Sequence, residues 1–468
     1  MNKESVKLSF QQKLDRMIGM IRLEILNGSR SPGSFLPSES SLAKQFQISN
    51  KTVRKGLDVL VGEGLIIKID RVGSMVTKER KTVRLHFGCN PTLFEDIALS
   101  TLLDAFHARY PLIQVRAIPL DFFGHVTSAR EMLAGGLLDV VSFNNTQFQE
   151  LAEEDGGEAL SLLEPLEPDM GLYSAAEETF RHNGQLYARA VSFSPVVLCY
   201  NRAHFREAGL PEPDSSWSWD DLIGASRRLA AFSGRHAVYF VPTSLNRYPL
   251  FLLQSGPGSG SDSNTAAGLR PFTELVNDHT IFPKYFSGTS EDDSLSLFKE
   301  ERVSMILTTY FGLNAFRDLP LSYDISPVPL MNKGKAQRTL LLSIGIAVNR
   351  SSGEKEAAHA FARFLASPEA QGIIREQRLS IPARRESAEV SASQGATGAP
   401  AIAGALNRPS RYAMYKELFP TFRAHQELGI PMSVLKEFGR TLKEYWSGMI
   451  DGDTLNIRLE SLLHGSQK

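Results

Sequence analysis

The chain has 468 residues, which excludes a single small domain and leaves room for about three domain-sized units. Its 51 Lys and Arg residues nearly balance its 52 Asp and Glu residues, but the two signs are unevenly placed. Residues 1–81 carry a net charge of +7 and the remaining residues carry −8, which indicates a basic head that contacts phosphate and an acidic body that does not.

Further features of the sequence argue against several classes of protein. Lys13, Arg16 and Arg22 interrupt the only N-terminal apolar pattern, so we expect no secretory signal. No window approaches the roughly 18 consecutive apolar residues of a membrane span, so we expect a cytoplasmic protein without membrane contact. The two cysteines, Cys89 and Cys199, lie far apart without metal-ligand spacing, which predicts two buried strand residues rather than a disulfide or a zinc site.

Residues 35–76 predict two short helices around a tight turn, followed by a β-ribbon. Ser38 and Ser49 each precede a helical segment and can cap it with a hydroxyl. The second helix turns its apolar residues to one face, and the basic residues left outside suit a DNA major groove. The alternative is an ordinary amphipathic helix, but the helix stop at Gly64 and the turn before Gly73 supply a ribbon that such a helix does not need.

Short sequence words in this region carry a family resemblance. Leu-Pro-Ser-Glu (36–39), Leu-Ala (42–43), Ser-x-x-Thr-Val-Arg (49–54) and Glu-Gly-Leu (63–65) resemble, in order and spacing, the winged helix-turn-helix of the GntR family of bacterial repressors. The resemblance covers about residues 9–77. It implies DNA contacts by Ser38, Glu39, Ser49, Asn50, Lys51, Thr52 and Arg54 on the two helices. The exposed basic side of the second helix adds Lys55, and the wing adds Arg71 and Gly73 as candidates.

The region departs from the family pattern at two places. Ser40 stands where the family usually has an Arg, and Arg71 with Gly73 replaces the usual two wing glycines. A lost Arg removes an expected bidentate guanine contact, so the operator of relatives does not transfer, and Arg71 becomes a candidate minor-groove contact. Because the family usually reads inverted repeats, the resemblance also implies a homodimer on double-stranded operator DNA.

After a short charged linker at residues 78–82, apolar strands alternate with amphipathic helices. The strands VRLHFGC (83–89), IQVRAIPL (113–120) and DVVSF (139–143), with helices between them, predict an open, largely parallel sheet. In such sheets ligands bind beyond the carboxyl ends of strands. The residues at those ends are Asn90, Phe122, Phe123, Asn144 and Asn145.

The rest of the body carries a second resemblance. LCYNRAHFREAGLPEPDSSWSWDDLIGASRRLA (198–230), SLFKEERVSMILTTYFGL (296–313), YDISPVPL (323–330), LSIGIAVNRSSGEKEAAHAFARFLASPEAQ (342–371) and IPARRES (381–387) resemble family 1 extracellular solute-binding proteins, which deliver sugars and oligosaccharides to ABC importers. The implied fold class is α/β: a winged helix-turn-helix followed by a two-lobed, hinged, periplasmic-binding-protein-like (type II) domain. The expected boundaries are 1–77 for the DNA-binding domain, 78–82 for the linker and 83–468 for the ligand-sensing domain with C-terminal helices.

The same resemblance suggests where a ligand binds. By position in the family pattern, the loop after Met305, Ile306 and Leu307 presents aromatic or polar residues to a sugar. Aromatic faces pack on the C–H side of a pyranose while Asn, Arg and Ser satisfy its hydroxyls. The candidate pocket is Asn90, Phe122, Asn144, Asn145, Arg247, Tyr248, Thr309, Tyr310, Phe311 and Ser343. For each single aromatic residue the alternative is core packing.

Motifs for other chemistry are missing from the sequence. The glycines of GPGSGSDSNT (256–265) have no preceding strand and no P-loop Lys, the ten histidines are scattered, and no nucleophile-elbow motif appears. We therefore expect no catalysis, no cofactor and no metal site. Three interpretations remain: a one-component regulator that senses a carbohydrate, a transport-associated solute receptor, and a GntR-type aminotransferase fusion, whose large domain the body does not match.

Overall fold

A computed structural model describes residues 10–77, 82–121, 124–255, 265–284, 291–334, 336–389 and 406–465. Residues 10–77 form a helical unit with a small ribbon, called the head below. The residues from 82 onward form an α/β unit, called the body.

The head is a three-helix unit with an antiparallel ribbon. Its elements are α1 (Phe10–Leu26), α2 (Glu39–Phe46), α3 (Asn50–Gly62), β1 (Ile66–Ile69) and β2 (Gly73–Val76). The predicted caps are confirmed, because the hydroxyl of Ser38 accepts from the Ser41 N–H and that of Ser49 accepts from the Thr52 N–H, each at 3.2 Å. Gly56 marks the closest approach of α1 and α3, since a Cβ there would overlap Met17.

The body is built on one ten-stranded sheet and a separate two-stranded ribbon. Its strands are β3 (Val83–Cys89), β4 (Ile113–Pro119), β5 (Val140–Asn144), β6 (Arg181–His182), β7 (Gln185–Leu186), β8 (Arg189–Asn201), β9 (His236–Tyr239), β10 (Val303–Thr309), β11 (Tyr323–Ser326), β12 (Thr339–Val348), β13 (Ile381–Pro382) and β14 (Phe422–Arg423). The main order is β4-β3-β5-β12-β8-β10-β9, while β11 and β13 pair with β8 and β14 pairs with β12. The strands β6 and β7 form the ribbon.

Helices cover the sheet on both faces. They are α4 (Leu93–Asp96), α5 (Leu99–Arg109), α6 (His125–Ala134), α7 (Asn145–Glu153), α8 (Ser174–Glu178), α9 (Arg202–Glu207), α10 (Trp219–Ser233), α11 (Tyr248–Ser255), α12 (Thr265–Asn277), α13 (Glu291–Lys299), α14 (Tyr310–Leu313), α15 (Lys355–Leu365), α16 (Pro368–Gln377), α17 (Arg385–Glu389), α18 (Tyr415–Leu418), α19 (Met432–Trp446) and α20 (Gly452–Gly465). Short 3-10 turns occupy Glu154–Leu162, Asn314–Phe316, Tyr412–Met414, Phe419–Thr421 and His425–Leu428.

Two long strands divide the body into two lobes. The first half of β8 pairs with β12, and its second half pairs with β10 and β11. The strands β3, β4 and β5 with α4 to α7, α15 and α16 are called lobe one, and β9, β10 and β11 with α9 to α14 are called lobe two. The strands β8 and β12 run through both lobes, so they are the connection about which the lobes can move.

The sheet is mixed, so the expectation of a largely parallel sheet was wrong. The parallel pairs β3–β4 and β3–β5 are those of the predicted strands, and β9 is parallel to β10. The strand β12 is antiparallel to β5 and to β8, because it returns from lobe two to lobe one.

Three clusters of buried apolar side chains stabilise the chain. One lies inside the head, one lies between the sheet and α5 and α15 of lobe one, and the largest extends from the other face of lobe one through β8 to lobe two. Cys89 and Cys199 are buried in β3 and β8, as predicted. None of the helices in the described part of the chain is long and apolar enough to cross a membrane.

Candidate functional site

A basic face runs along α3. Asn50, Lys51, Arg54 and Lys55 are exposed, whereas Val53 on the inner side of the helix is buried. The four exposed side chains lie on the side of α3 opposite its buried residues. Amide and cationic side chains on an exposed helix can reach phosphates and base edges together.

The guanidinium of Arg54 is held by Glu39. Its Nε donates to the Glu39 carboxylate at 2.7 Å, which joins α2 to α3. The Arg54 side chain is 65% exposed, so this ion pair stabilises the fold by less than about 1 kcal/mol. Its effect is to orient the guanidinium in front of the two helices, where a phosphate or base edge can compete for it.

The capping hydroxyls are less available than the basic side chains. Thr52 is buried, and its Oγ1 lies 2.8 Å from the Ser49 Oγ. The Ser38 Oγ lies within 3.0 Å of the hydroxyls of Ser40 and Ser41. These groups satisfy helix ends in the structure, and DNA contacts by them stay predictions.

The wing turns at Arg71 and Gly73. Arg71 has a φ of 62° and Gly73 a φ of 136°, so both lie in the left-handed region. A glycine adopts that region freely, whereas a residue with a Cβ does so at a cost. The exposed Arg71 therefore extends from the ribbon tip at the expense of local strain, in a place where it can contact DNA.

An arginine joins the head to the body. Nε and Nη2 of Arg22 on α1 donate to the carboxylate of Glu63 at 2.8 and 2.5 Å, and its Nη1 pairs with Glu356 on α15. Glu63 is the residue that ends α3. Burial alone would lower the pKa of Arg22, but the two carboxylates outweigh it and raise that pKa. One partly buried cation thus links the end of the basic helix to lobe one.

Apolar contacts reinforce this junction. Leu26 is 1% exposed and packs into the hydrophobic cluster of lobe one. A small open groove lies at the junction, between Leu65 and Val76 of the head and Pro111 and Leu112 of the body. The head therefore rests on lobe one.

Asn145 is the centre of a polar chain between the lobes. Its Nδ2 donates to the Leu341 carbonyl at 3.2 Å, and its Oδ1 accepts from the Ser343 N–H at 3.1 Å. The same Nδ2 lies 3.1 Å from Nδ1 of His425, whose Nε2 lies 2.7 Å from the Leu245 carbonyl of lobe two. Burial lowers the pKa of His425 to about 4, so the neutral ring donates through Nε2 and accepts through Nδ1.

Three predicted pocket residues lie at the end of β10 and the start of α14. Thr309 caps α14 with its hydroxyl, and Tyr310 has no exposed surface. The Tyr310 hydroxyl donates to the Tyr412 carbonyl at 2.9 Å, and its N–H donates to the Ser194 Oγ at 2.6 Å. Phe311 is half-buried and packs against both apolar clusters of the body. In this closed arrangement Tyr310 is a core residue, while Phe311 borders the lobe junction.

Arg247 and Tyr248 lie at the start of α11. Arg247 is 3% exposed, and its Nε donates to the Leu307 carbonyl at 3.1 Å. The fully buried Tyr248 stacks on Phe438 with a centroid distance of 5.5 Å, and its hydroxyl donates to the Leu435 carbonyl. Tyr248 therefore packs against α19.

The remaining candidates follow the strands of lobe one. Asn90 is buried, its N–H donates to the Ser142 Oγ at 3.0 Å, and its Oδ1 has no hydrogen-bond partner among the described residues. Asn144 caps α7 by accepting from the Gln147 N–H at 2.8 Å. Phe122 and Phe123 lie outside the described residues. The structure thus brings Asn145 into contact with Ser343 and keeps 309–311 contiguous, and their roles in ligand binding stay predictions.

Sequence reasoning missed the contacts that close the two lobes on each other. Arg317, which follows α14, pairs with Glu95 of α4 at 2.8 Å, although 222 residues separate them. His425 was missed for the same reason, because neither residue lies in a local pattern that distinguishes it. In the described part of the chain, no group of three or more His, Cys, Asp or Glu residues is arranged to hold a metal ion.

Comparisons with known proteins agree with this geometry. Residues 97–372, more than half of the chain, match the bacterial extracellular solute-binding protein family. The chain belongs to that family. Its head adds a second module, since residues 14–76 match the bacterial regulatory proteins of the gntR family.

Individual relatives match one part or the other. The maltooligosaccharide ABC transporter solute-binding lipoprotein of Streptococcus pneumoniae is 22% identical over 221 residues, 44% of this chain and 50% of that protein. The transcriptional repressor NagR of Bacillus subtilis is 38% identical over 65 residues, 14% of this chain and 27% of that protein. The chain spans about half of the length of the solute-binding relatives that it matches.

Solved structures resemble the body. The ABC substrate-binding protein Lmo0181 of Listeria monocytogenes, in complex with cycloalternan, superposes with a TM-score of 0.66 at 20% identity. The superposition covers 82% of this chain and 99% of that one. At such identity the likeness concerns the fold, which is that of the periplasmic binding proteins.

Proposed function

We propose that this chain is a cytoplasmic one-component transcription regulator, in which a homodimer binds operator DNA through its heads and senses a carbohydrate between the lobes of its bodies. The observation that carries the proposal is the junction at Arg22, which connects the end of the DNA-facing helix to a solute-binding lobe. A solute receptor alone has no use for the exposed basic face of α3.

The carbohydrate class is supported by relatives. The pneumococcal protein is named for maltooligosaccharide, and the Listeria protein holds cycloalternan. Candidate ligand contacts are Asn144, Thr309 and Phe311, which lie at carboxyl ends of strands and keep some exposed surface or a hydroxyl near the lobe junction. The buried Asn145 of α7 and Ser343 of β12, which are hydrogen-bonded to each other, would support them.

The signal is carried by the relative position of the lobes. The head rests on lobe one, so closure of the lobes over a ligand moves lobe two relative to the head. In a dimer this motion changes the separation of the two α3 helices and hence their fit to two half-sites. The effect on DNA affinity cannot exceed the preference of the ligand for the closed state.

The test joins both activities. A thermal-shift panel of mono- and oligosaccharides on the full chain identifies the ligand, since a sugar at 100 times its dissociation constant adds roughly 2.7 kcal/mol of stability. Duplexes selected from a random-sequence pool supply the operator, and gel shifts give the number of chains bound. We expect two chains per duplex and a sugar-dependent affinity. Sugar binding without any DNA selection would favour the receptor interpretation, and one chain per duplex at saturation would contradict the dimer.

A further inference from the structure

Three arginines lie close together beside the lobe junction, and two of them contact one tyrosine ring. Arg375 and Arg378 lie at the end of α16, and Arg408 reaches them from a later segment; together they are called the arginine cluster. The guanidinium carbons of Arg375 and Arg408 each lie 4.8 Å from the ring centroid of Tyr412. The Nη2 of Arg408 donates to the backbone carbonyls of Arg375 and Arg378.

The arginine cluster has few close counter-charges. Among the described residues no carboxylate lies within 4.0 Å of Arg375 or Arg408, and Arg378 has only Glu95 at 3.9 Å. Glu95 is 69% exposed and is already paired with Arg317 at 2.8 Å. Nearby, burial raises the pKa of Asp96 to about 7, so this carboxyl is only partly ionised at neutral pH.

The arginine cluster also has unused hydrogen-bond donors. Nε of Arg375, Nε of Arg378 and Nη1 of Arg408 are buried and have no hydrogen-bond partner in the described part of the chain. A guanidinium that is removed from water without a carboxylate or full hydrogen bonding costs free energy. Three such groups in one place indicate a missing anion more strongly than one would.

The position of the arginine cluster points to the cleft. Arg378 donates to the Phe94 carbonyl of α4, which follows the carboxyl end of β3. Tyr412 accepts from the hydroxyl of Tyr310, which follows the carboxyl end of β10. Ligands of such sheets bind beyond the carboxyl ends of strands. The arginine cluster therefore lies within reach of one end of a bound effector.

We propose that the arginine cluster binds the anionic group, a carboxylate or a phosphate, of the carbohydrate effector. The proposal rests on the carbohydrate-sensing function and narrows it to acidic sugars. The planar guanidinium fork matches both oxyanions. Without ligand, the exposed carboxylate of Glu95 lies beside Arg317 and Arg378. When the lobes open and close over a ligand, the anionic group of the ligand replaces this carboxylate. A neutral sugar would leave the three cations unpaired, which selects against it.

The experiment compares charged sugars with their neutral parents. Calorimetric titrations of the full chain use hexuronates, hexose 6-phosphates, the corresponding neutral hexoses and disaccharides, and inorganic phosphate, all at one ionic strength. We expect an acidic sugar to bind at least about tenfold more tightly than its neutral parent, a difference of about 1.4 kcal/mol. Phosphate binding as tight as that of any sugar, and lost with the cluster, would overturn the assignment to a carbohydrate.

Variants locate the anion. In Arg375→Gln the lost side chain donates no hydrogen bond within the described structure, so folding should survive while acidic-sugar affinity falls about tenfold and neutral-sugar affinity is unchanged. Glu95→Gln should raise acidic-sugar affinity because it removes the competing carboxylate. Arg350→Gln, an exposed arginine of the same lobe, is the control and should change neither.

The outcomes separate the two proposals. Equal affinities for acidic and neutral sugars in all variants would overturn the anion site and leave the carbohydrate sensor intact. Binding of no sugar at all would overturn both.

Discussion

The head and the body differ in how their functional residues are placed. In the head, Asn50, Lys51, Arg54 and Lys55 are exposed on one helix, within six residues of each other. In the body, most of the pocket residues proposed from the sequence, such as Tyr310, are buried and hydrogen-bonded inside the protein. The exposed face of a helix follows from local periodicity and can be predicted from the sequence. A cleft is assembled from distant segments, so its residues are harder to predict.

The largest expected effect is a loss of stability on substitution of Tyr310, which was predicted to contact ligand but is fully buried. Tyr310→Ala empties a fully buried site between Tyr412 and Tyr415, so it should lower the free energy of unfolding by about 3–5 kcal/mol. Tyr310→Phe keeps the ring and loses one hydrogen bond, so about 0.5–1.5 kcal/mol is expected. Urea unfolding of the full chain measures both. A Tyr310→Ala protein that is as stable as the parent but does not respond to sugar would show that Tyr310 contacts the ligand.

In the head the same kind of substitution should affect binding and not folding. Arg54→Ala should weaken operator binding by about 1–3 kcal/mol, because it removes a groove contact. Its stability should change by less than about 1 kcal/mol, because only an exposed ion pair is lost. The control is Arg270→Ala, which breaks a similarly exposed pair with Glu274 in the body. An Arg54→Ala protein that binds the operator as tightly as the parent would show that α3 does not bind in the major groove.

The junction should couple the two regions without belonging to either site. Glu356→Gln removes the ion pair between lobe one and Arg22 but keeps the ion pair between Arg22 and Glu63. DNA binding without sugar should therefore persist. The sugar-dependent change in operator affinity should shrink by about 0.5–2 kcal/mol. Fluorescence anisotropy with and without sugar measures the change. An unaltered sugar response would show that the signal bypasses this ion pair.

The smallest effect is expected at the wing. Arg71→Gly removes one charge and relieves a left-handed backbone, so the fold should lose no stability. If each of the two Arg71 side chains of the dimer contacts one phosphate, the slope of log affinity against log salt should become shallower by about 1.8, which is about 0.9 for each contact. Titrations at four salt concentrations measure this slope. A steep slope identical to that of the parent would place the wing tip away from DNA.

Much of the fold follows from local sequence. Ser38 and Ser49 cap the helices that they were expected to cap, because a hydroxyl at that position satisfies a helix N–H wherever it occurs. The strand VRLHFGC occupies the whole of β3. The mixed sheet was not foreseen, because the pairing of β12 with β5 and β8 joins segments that are far apart in the chain and does not follow from strand pattern.

The effector site was harder to predict from the sequence than the fold, because its residues come from distant segments. Tyr248 resembles a sugar-stacking residue in sequence, but Phe438, which covers it, lies on a helix near the other end of the chain. The Glu95–Arg317 ion pair and the arginine cluster arise in the same way, from segments that meet only after the lobes fold. Their residue types alone are those of an ordinary charged surface.

The central claim is that one chain binds a sugar and DNA, and that each binding event changes the other. The direct measurement is the dissociation constant of the selected operator duplex for the full chain, with and without the saturating sugar found in the thermal-shift panel. We predict a change of about 5- to 150-fold, with the same factor in sugar affinity when the operator is added. An operator affinity that is identical with and without every bound sugar would contradict the account.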